Sequence, residues 1–381
     1  MAPITFRQTD TVDEIVVRGE GIVARFSGQD LQPRGAHVAL WFALPLAMRM
    51  GRDLYIDGAV CPVALDNARR LATIWSNLAP QVFEPIEIEA QVLNPDQIPA
   101  SDRRIMAFSG GVDSSTALLN LHHNTGERPD LLTIQGLDYR LSDKQRFQHL
   151  LDKTAQFRAE HGNQQRILRT DAGTSYRAFK VPISISFGFL LAACLGTHEK
   201  RYKGGIIASD VAQCYECTEG VYGTSSGVTP LMSSATFQTF LADLDLSRFD
   251  KLPILAADPI AINSVSCCED YQSRPHNCGV CAKCVRTKGN FLAAIRTIPD
   301  MFPKPGLDPE DFDAIDLRAP VYAQSWKRMV ARAKENGTDA VLNPIANRLE
   351  TGFHPGRIRW TIYRIKAVLR AYKARRRNRK S

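Results

Sequence analysis

Arg103-Arg104-Ile105-Met106-Ala107-Phe108-Ser109-Gly110-Gly111-Val112-Asp113-Ser114-Ser115 is the stretch on which the reading of the whole chain turns. It begins as a short apolar strand, passes into a loop with two adjacent glycines, and ends as the start of a helix. The glycines let the backbone approach a ligand closely. The free amides of the helix start, with the serine hydroxyls, form an anion site backed by the helix dipole. Such a loop suits the pyrophosphate of ATP. Ser109, Gly110, Gly111, Val112, Asp113, Ser114 and Ser115 are therefore assigned to the nucleotide phosphates, with Asp113 and Ser114 as the catalytic candidates. A Walker A loop needs Gly-Lys-Ser/Thr at its end, and no such lysine stands here. Asp113 can orient Mg²⁺ or the loop itself; a first-turn aspartate favoured only by the dipole reads equally well.

Working outward, strands and helices alternate from Arg103, the pattern of an α/β chain with a doubly wound parallel sheet. Leu131–Ile134, Arg166–Arg169 and Gly205–Ala208 read as the next three strands. Helices are expected over Ser114–His122, Ser142–His161 and Pro182–Gly196. Polar residues at the strand ends, Ser109, Asp138, Asp171 and Asp210, are expected to share the rim where open α/β sheets bind ligands. The pattern divides the chain into an N-terminal α+β domain at 1–97, a nucleotide-binding domain at 98–300 and a helical extension at 301–381. In the first of these, Glu14–Arg18 and Ile22–Phe26 form a hairpin about Gly19-Glu20-Gly21. A helix over Ala36–Met50 follows, then a strand at Leu54–Ile56 ending in the turn Asp57-Gly58. His37 is a lone histidine and reads as structural. A polar linker at Asn94–Asp102 closes the unit.

Nine cysteines is an odd number, and five lie between Cys267 and Cys284. A disulfide framework would be spread through a small secreted chain; this clustering points to metal. Cys278, Cys281 and Cys284 recur every third residue, with Gly279 easing the knuckle, and Cys267 and Cys268 stand upstream. One of these two completes a tetrahedral Zn²⁺ site with Cys278, Cys281 and Cys284. Cys267 is preferred over Cys268, with His276 as a further alternative, and an iron–sulfur cluster is the chemical alternative to zinc. With four protein ligands and no open position, the zinc reads as structural.

The Ser-Gly-Gly-Val-Asp-Ser run at 109–114 resembles the pyrophosphate loop of the ATP-pyrophosphatase (adenine nucleotide alpha hydrolase) superfamily. Together with Ser264-Val265-Ser266-Cys267, Cys278-Gly279, Cys281, Cys284 and Arg286, it resembles 7-cyano-7-deazaguanine synthase and its relatives. The resemblance spans about residues 103–292. It implies an adenine nucleotide alpha hydrolase-like sheet with a zinc loop that helps form the substrate pocket. It also implies ATP and Mg²⁺ as co-substrates, cleavage of ATP to AMP and pyrophosphate, and a 7-carboxy-7-deazaguanine-like acid as the group that is adenylated. Amide or nitrile formation would follow, or conjugation to a protein amine as in some multi-domain relatives from bacterial defence operons. Two positions depart from the family: Ile183-Ser184-Ile185 replaces an Arg-Asn pair, and Ser233-Ser234-Ala235-Thr236 lacks a lysine. A tRNA-modifying enzyme of the thiolation or lysidine type is the alternative reading of the same loop.

The net charge of +8 belongs to one tail: Arg357–Lys380 holds eleven Lys/Arg and no acidic residue, and +8 less 11 leaves −3 for the rest. Ile358, Ile362, Ile365, Leu369 and Tyr372 recur there at helical spacing, an apolar stripe of the kind that packs on a protein's own body. The charge around it can grip nucleic acid, an acidic partner or a membrane surface. No apolar run reaches the length of a membrane span, and the N-terminus carries no signal pattern; a cytoplasmic enzyme is expected.

Overall fold

The computed structural model describes residues 2–93, 102–219, 222–313, 315–318, 320–352 and 357–378. Most of the linker expected at 94–102, Gly220 and Val221, and Arg379 and Lys380 of the basic end lie outside the described residues. The strands are β1 (Ile4–Asp10), β2 (Glu14–Gly19), β3 (Ile22–Gly28), β4 (Leu54–Val60), β5 (Ile88–Val92), β6 (Arg104–Ala107), β7 (Asp130–Gln135), β8 (Gln165–Thr170), β9 (Gly204–Ala208) and β10 (Gln238–Ala242). They form one ten-stranded sheet in the order β10-β9-β6-β7-β8-β3-β2-β1-β4-β5. Six of the nine pairings are parallel, and the three antiparallel ones are β1–β2, β2–β3 and β3–β8, so the chain is α/β with a mostly parallel sheet.

The helices before the glycine loop are α1 (His37–Met50) and α2 (Pro62–Leu78). Between the loop and the end of β9 come α3 (Val112–Thr125), α4 (Lys144–Lys153), α5 (Ala155–His161), α6 (Ala172–Ala178) and α7 (Ile183–Gly196). After β9 come α8 (Glu216–Glu219), α9 (Arg248–Ala257), α10 (Pro259–Ser264), α11 (Ala282–Ile295), α12 (Pro320–Asn336), α13 (Asn343–Thr351) and α14 (Arg357–Asn378). Side chains alternate across each strand, and the central strands show it. Ile105, Leu132 and Ile207 point into a core with α1, α2 and α7, whereas Met106, Leu131 and Ile206 point into a second core with α3, α9 and α11. Both faces of the sheet are thus covered, as parallel strands require. A third core gathers Trp326, Met329 and Ala333 of α12 with Leu342 and Ile345. No helix among the described residues is long and apolar enough to cross a membrane.

The first 93 residues extend this sheet rather than standing apart as a domain. Strand β3 pairs antiparallel with β8, Phe26 opposite Thr170 and Gly28 opposite Leu168, and α1 packs on α7 in a shared core. A buried polar tie reinforces the join. His37 Nε2 accepts from the Cys61 amide at 2.9 Å, so its proton sits on Nδ1 and meets Glu199 Oε2 at 2.7 Å. Glu199 also accepts from Ser234. His37 is structural, and Ser234 belongs to this network.

Three local expectations shift. Asp57-Gly58 makes no turn: β4 runs on to Val60 through a bulge between Ile56 and Ala59. Only glycine fits there, because a Cβ on Gly58 would meet the Ala36 Cβ at 2.8 Å. The long helix expected over 142–161 breaks at Thr154 into α4 and α5. Strand β1, which lies inside the sheet between β2 and β4, and the edge strand β10 were not expected.

Candidate nucleotide site and cysteine centre

In sequence order β6 is the first strand of the parallel half; β7 and β8 add on one side, β9 and β10 on the other. The order reverses at β6, and the crevice outside the strand ends at such a point is where open α/β sheets take ligands. The glycine loop leaves β6 at that point. Gly110 has φ of 69°, the left-handed region that costs other residues energy, and its carbonyl accepts from the Ser266 amide at 2.8 Å. Ser109 Oγ lies 3.2 Å from Ser114 Oγ and accepts from the Gly111 amide at 3.3 Å. No side chain caps α3 at Gly111, so its first-turn amides have no intrahelical partners, and Gly111 to Ser114 line the crevice.

A cavity of about 250 Å³ opens there. Ser109, Gly111, Val112, Asp113 and Ser114 line it, with Leu132 and Ile134 from the end of β7, Phe187 and Leu191 from α7, and Asp210 beyond β9. Gly110 and Ser115 stand outside the lining; Ser115 is wholly buried and its Oγ has no hydrogen-bond partner. Of the expected rim, Ser109, Asp138 and Asp210 meet at the cavity. Asp171 does not: its carboxylate accepts from the Arg25 amide at 2.7 Å.

A second cavity of about 240 Å³ shares Asp113, Asp210, Arg248 and Lys283 with the first. Its other walls carry Arg286, Arg328, Tyr215, Tyr222 and Tyr322. The site therefore has two lobes, one apolar under the sheet ends and one cationic. Their border holds the charges that matter most. Asp113 is paired with Arg248 at 2.9 Å and Lys251 at 3.3 Å. Burial opposes its ionisation, yet the two cations outweigh burial and hold its carboxyl below the ordinary range. Lys251 is 1 % exposed, so Asp113 neutralises a buried cation as well as orienting Arg248. None of Arg248, Lys251 and Lys283 was singled out from the sequence, and Arg286 was quoted there only as part of the cysteine motif; each sits on a helix whose position follows only from the fold.

Asp210 is different. Burial and the nearby Asp113 push its carboxyl above the ordinary range, and it accepts from Thr224 Oγ1 at 3.1 Å. Among the described residues it forms no ion pair, which leaves it the carboxylate best suited to a hard cation such as Mg²⁺. Because the folded pKa is raised, its ionisation costs stability progressively as pH rises from the unfolded value through the folded one. Asp210→Asn should therefore melt higher than the parent at neutral pH without metal, with the gain vanishing in acid; thermal scans across pH check this. Thr224 is the one residue of the hydroxyl-rich segment 222–227 that lines the first cavity.

The cysteine centre abuts the same cavity. Cys268, Cys278, Cys281 and Cys284 place their sulfurs within 4.8 Å of one another. Cys268 and Cys281 sulfurs are 3.8 Å apart and Cys278 and Cys284 sulfurs 4.0 Å. Zinc–sulfur bonds near 2.3 Å in a tetrahedron put sulfurs about 3.8 Å apart, so the group fits zinc. The Cys281 amide donates to Cys278 Sγ and the Cys284 amide to Cys281 Sγ. This corrects the expected ligand set: Cys268, not Cys267, is the fourth thiol. Cys267 lies beside Cys284 but outside the four-sulfur group, its thiol donating to Asn277 Oδ1 at 3.3 Å, and it lines the first cavity. His276 is not in the cluster. Lys283, between ligands Cys281 and Cys284, reaches both lobes, so the metal loop carries a cation into the site.

The basic helix α14 departs from its expectation too. Ala371 is buried and Arg370 donates to the Glu310 carbonyl at 2.7 Å, which docks one side. The apolar stripe is on the other: Ile362, Ile365, Leu369 and Tyr372 are exposed. No family model, curated protein or solved structure matches the chain.

Proposed function

We propose that the chain is an ATP-dependent ligase of the pyrophosphate-loop type that adenylates a deazapurine carboxylate resembling 7-carboxy-7-deazaguanine. The observation that carries this reading is the uncapped start of α3, with Ser109 and Ser114, opening at the reversal point of the sheet onto a cavity whose far wall holds Arg248 and Lys283. A carboxylate oxygen of the substrate attacks the α-phosphorus of ATP. The bond to the bridging oxygen breaks and pyrophosphate leaves, giving the acyl-adenylate. The chain's work is positioning and charge neutralisation: loop amides and serines hold the departing pyrophosphate, and Arg248 and Lys283 offset its charge. Mg²⁺, held at Asp210, would neutralise the phosphate oxygens. The apolar lobe suits a flat ring system and the cationic lobe a carboxylate or phosphate. An amine then attacks the acyl carbon and AMP leaves. The amine is ammonia, giving an amide whose oxygen a second ATP would adenylate so that it leaves with AMP and yields the nitrile, or it is an amine on a partner protein.

Incubation with ATP, Mg²⁺ and 7-carboxy-7-deazaguanine should yield AMP and pyrophosphate only when the acid is present. ADP as the product, or no nucleotide turnover with any purine-like carboxylate, would overturn the proposal. A tRNA-modifying role is the second reading, favoured by the basic, solvent-facing α14. A salt-sensitive gel shift with tRNA that disappears when residues 373–381 are deleted would select it.

A further inference from the structure

A second cluster of metal-binding side chains lies away from both cavities. His122 and His123 end α3, and His161 ends α5. Their ring centroids are 5.1 to 5.6 Å apart, and one nitrogen from each ring lies within 4.8 Å of the others. His122 Nδ1 and His161 Nδ1 face each other at 2.9 Å. His161 is 2 % exposed, and its other nitrogen, Nε2, lies 3.2 Å from Asp258 Oδ2 yet makes no hydrogen bond. Asp258 is itself fixed, its Oδ1 accepting from the Ile260 and Ala261 amides at 2.8 Å each.

The plain alternative is that these histidines cap helix ends by donating to the last carbonyls. Among the described residues none of the three makes such a bond; His122 and His161 face each other through their Nδ1 atoms, and a His123 nitrogen lies within 4.8 Å of the other two. Two imidazole nitrogens at hydrogen-bond distance and a carboxylate behind the buried ring form the arrangement in which a metal-bound histidine is oriented by an outer carboxylate. The negative end of the α3 dipole adds a fixed attraction for a cation at His122 and His123. Three imidazoles with no thiolate and no first-rank carboxylate favour zinc and its first-row neighbours over Mg²⁺ or Ca²⁺.

We infer that His122, His123 and His161 form a site for a divalent transition-metal ion of the zinc class, with Asp258 as the orienting carboxylate and a fourth position open to solvent. His123 is exposed, so the ion exchanges with the medium, unlike one enclosed by the four cysteines. The site also touches the first cavity through packing: Phe157 packs against His161 with centroids 4.8 Å apart and rings tilted at 49°, it stacks on Phe108 at 6.1 Å, and Phe108 lines that cavity.

The test titrates Zn²⁺ into full-length protein that already carries its cysteine-bound metal, with heat of binding and elemental analysis as readouts. Wild type should take up about one further ion per chain, in line with a single three-histidine site. His123→Ala, at an exposed position, should leave the metal-free melting temperature unchanged and weaken that uptake at least about a hundredfold; Asp258→Asn should weaken it about ten- to a hundredfold. Cys268→Ser should spare the exchangeable ion. No uptake beyond the cysteine centre, or equal uptake by wild type and His123→Ala, would overturn the inference.

Discussion

Asp113→Asn is expected to reduce AMP release at least about a hundredfold, the scale seen when one group that stabilises developing charge is removed. The carboxylate stands between Arg248 and Lys251, and both orient on it. Without its charge, Arg248 loses the contact that aims it into the cavity, and Lys251 is left buried without its ion-pair partner. Leaving a buried charge uncompensated typically costs about 3–5 kcal/mol, although the Ser209 carbonyl still accepts from Lys251 and tempers the loss. The variant should therefore also melt at lower temperature. Arg248→Gln separates the two effects, since Arg248 is 26 % exposed in its side chain and its loss leaves no orphaned interior charge of its own. It should keep near-parental stability and still lose turnover. Undiminished AMP release from Asp113→Asn would remove that residue from the mechanism.

Cys268→Ser should abolish tight zinc binding, whereas Cys267→Ser should retain about one tightly held ion per chain, because a closed structural site needs four ligands. The difference is large in free energy: structural zinc contributes about 10–16 kcal/mol of apparent binding in small domains. Loss of the ion should loosen the segment from Cys268 to Cys284, withdraw Lys283 from both lobes and so lower turnover along with stability. Elemental analysis and thermal melting of the two variants, side by side, check this. Equal zinc content in both would return the ligand assignment to an open choice, and loss only in Cys267→Ser would reverse it.

Sequence made the central half of the fold legible because the signals there are local. An apolar strand, two glycines and a helix start lie within thirteen residues of one another, and the cysteines recur at fixed spacing. The fourth thiol was not legible, since which of two adjacent cysteines faces inward depends on the path of residues 265–277, held by Asn277 contacts to the Cys267 amide and the Val265 carbonyl. Arg248, Lys251 and Lys283 were not legible either, and Arg286 was legible only as part of the cysteine motif. Each looks like a surface cation until α9 and α11 are laid against α3. The three histidines failed for the same reason, with His161 distant in sequence from His122 and His123. The division at residue 97 misjudged a long-range pairing: nothing near Gly28 announces that its partner is Leu168.

That pairing also bears on how the chain emerges from a ribosome. The first three strands can form their own hairpins early, but β3 then offers an open edge until β8 has been synthesised. Exposed edges recruit other strands, and early intermediates of this kind are prone to aggregate. The amino-terminal portion thus spends much of translation as a half-finished surface, dependent on the later nucleotide-loop region to close it. The gene could not readily shed or exchange that portion as a cassette; the two halves are bound to evolve as one unit.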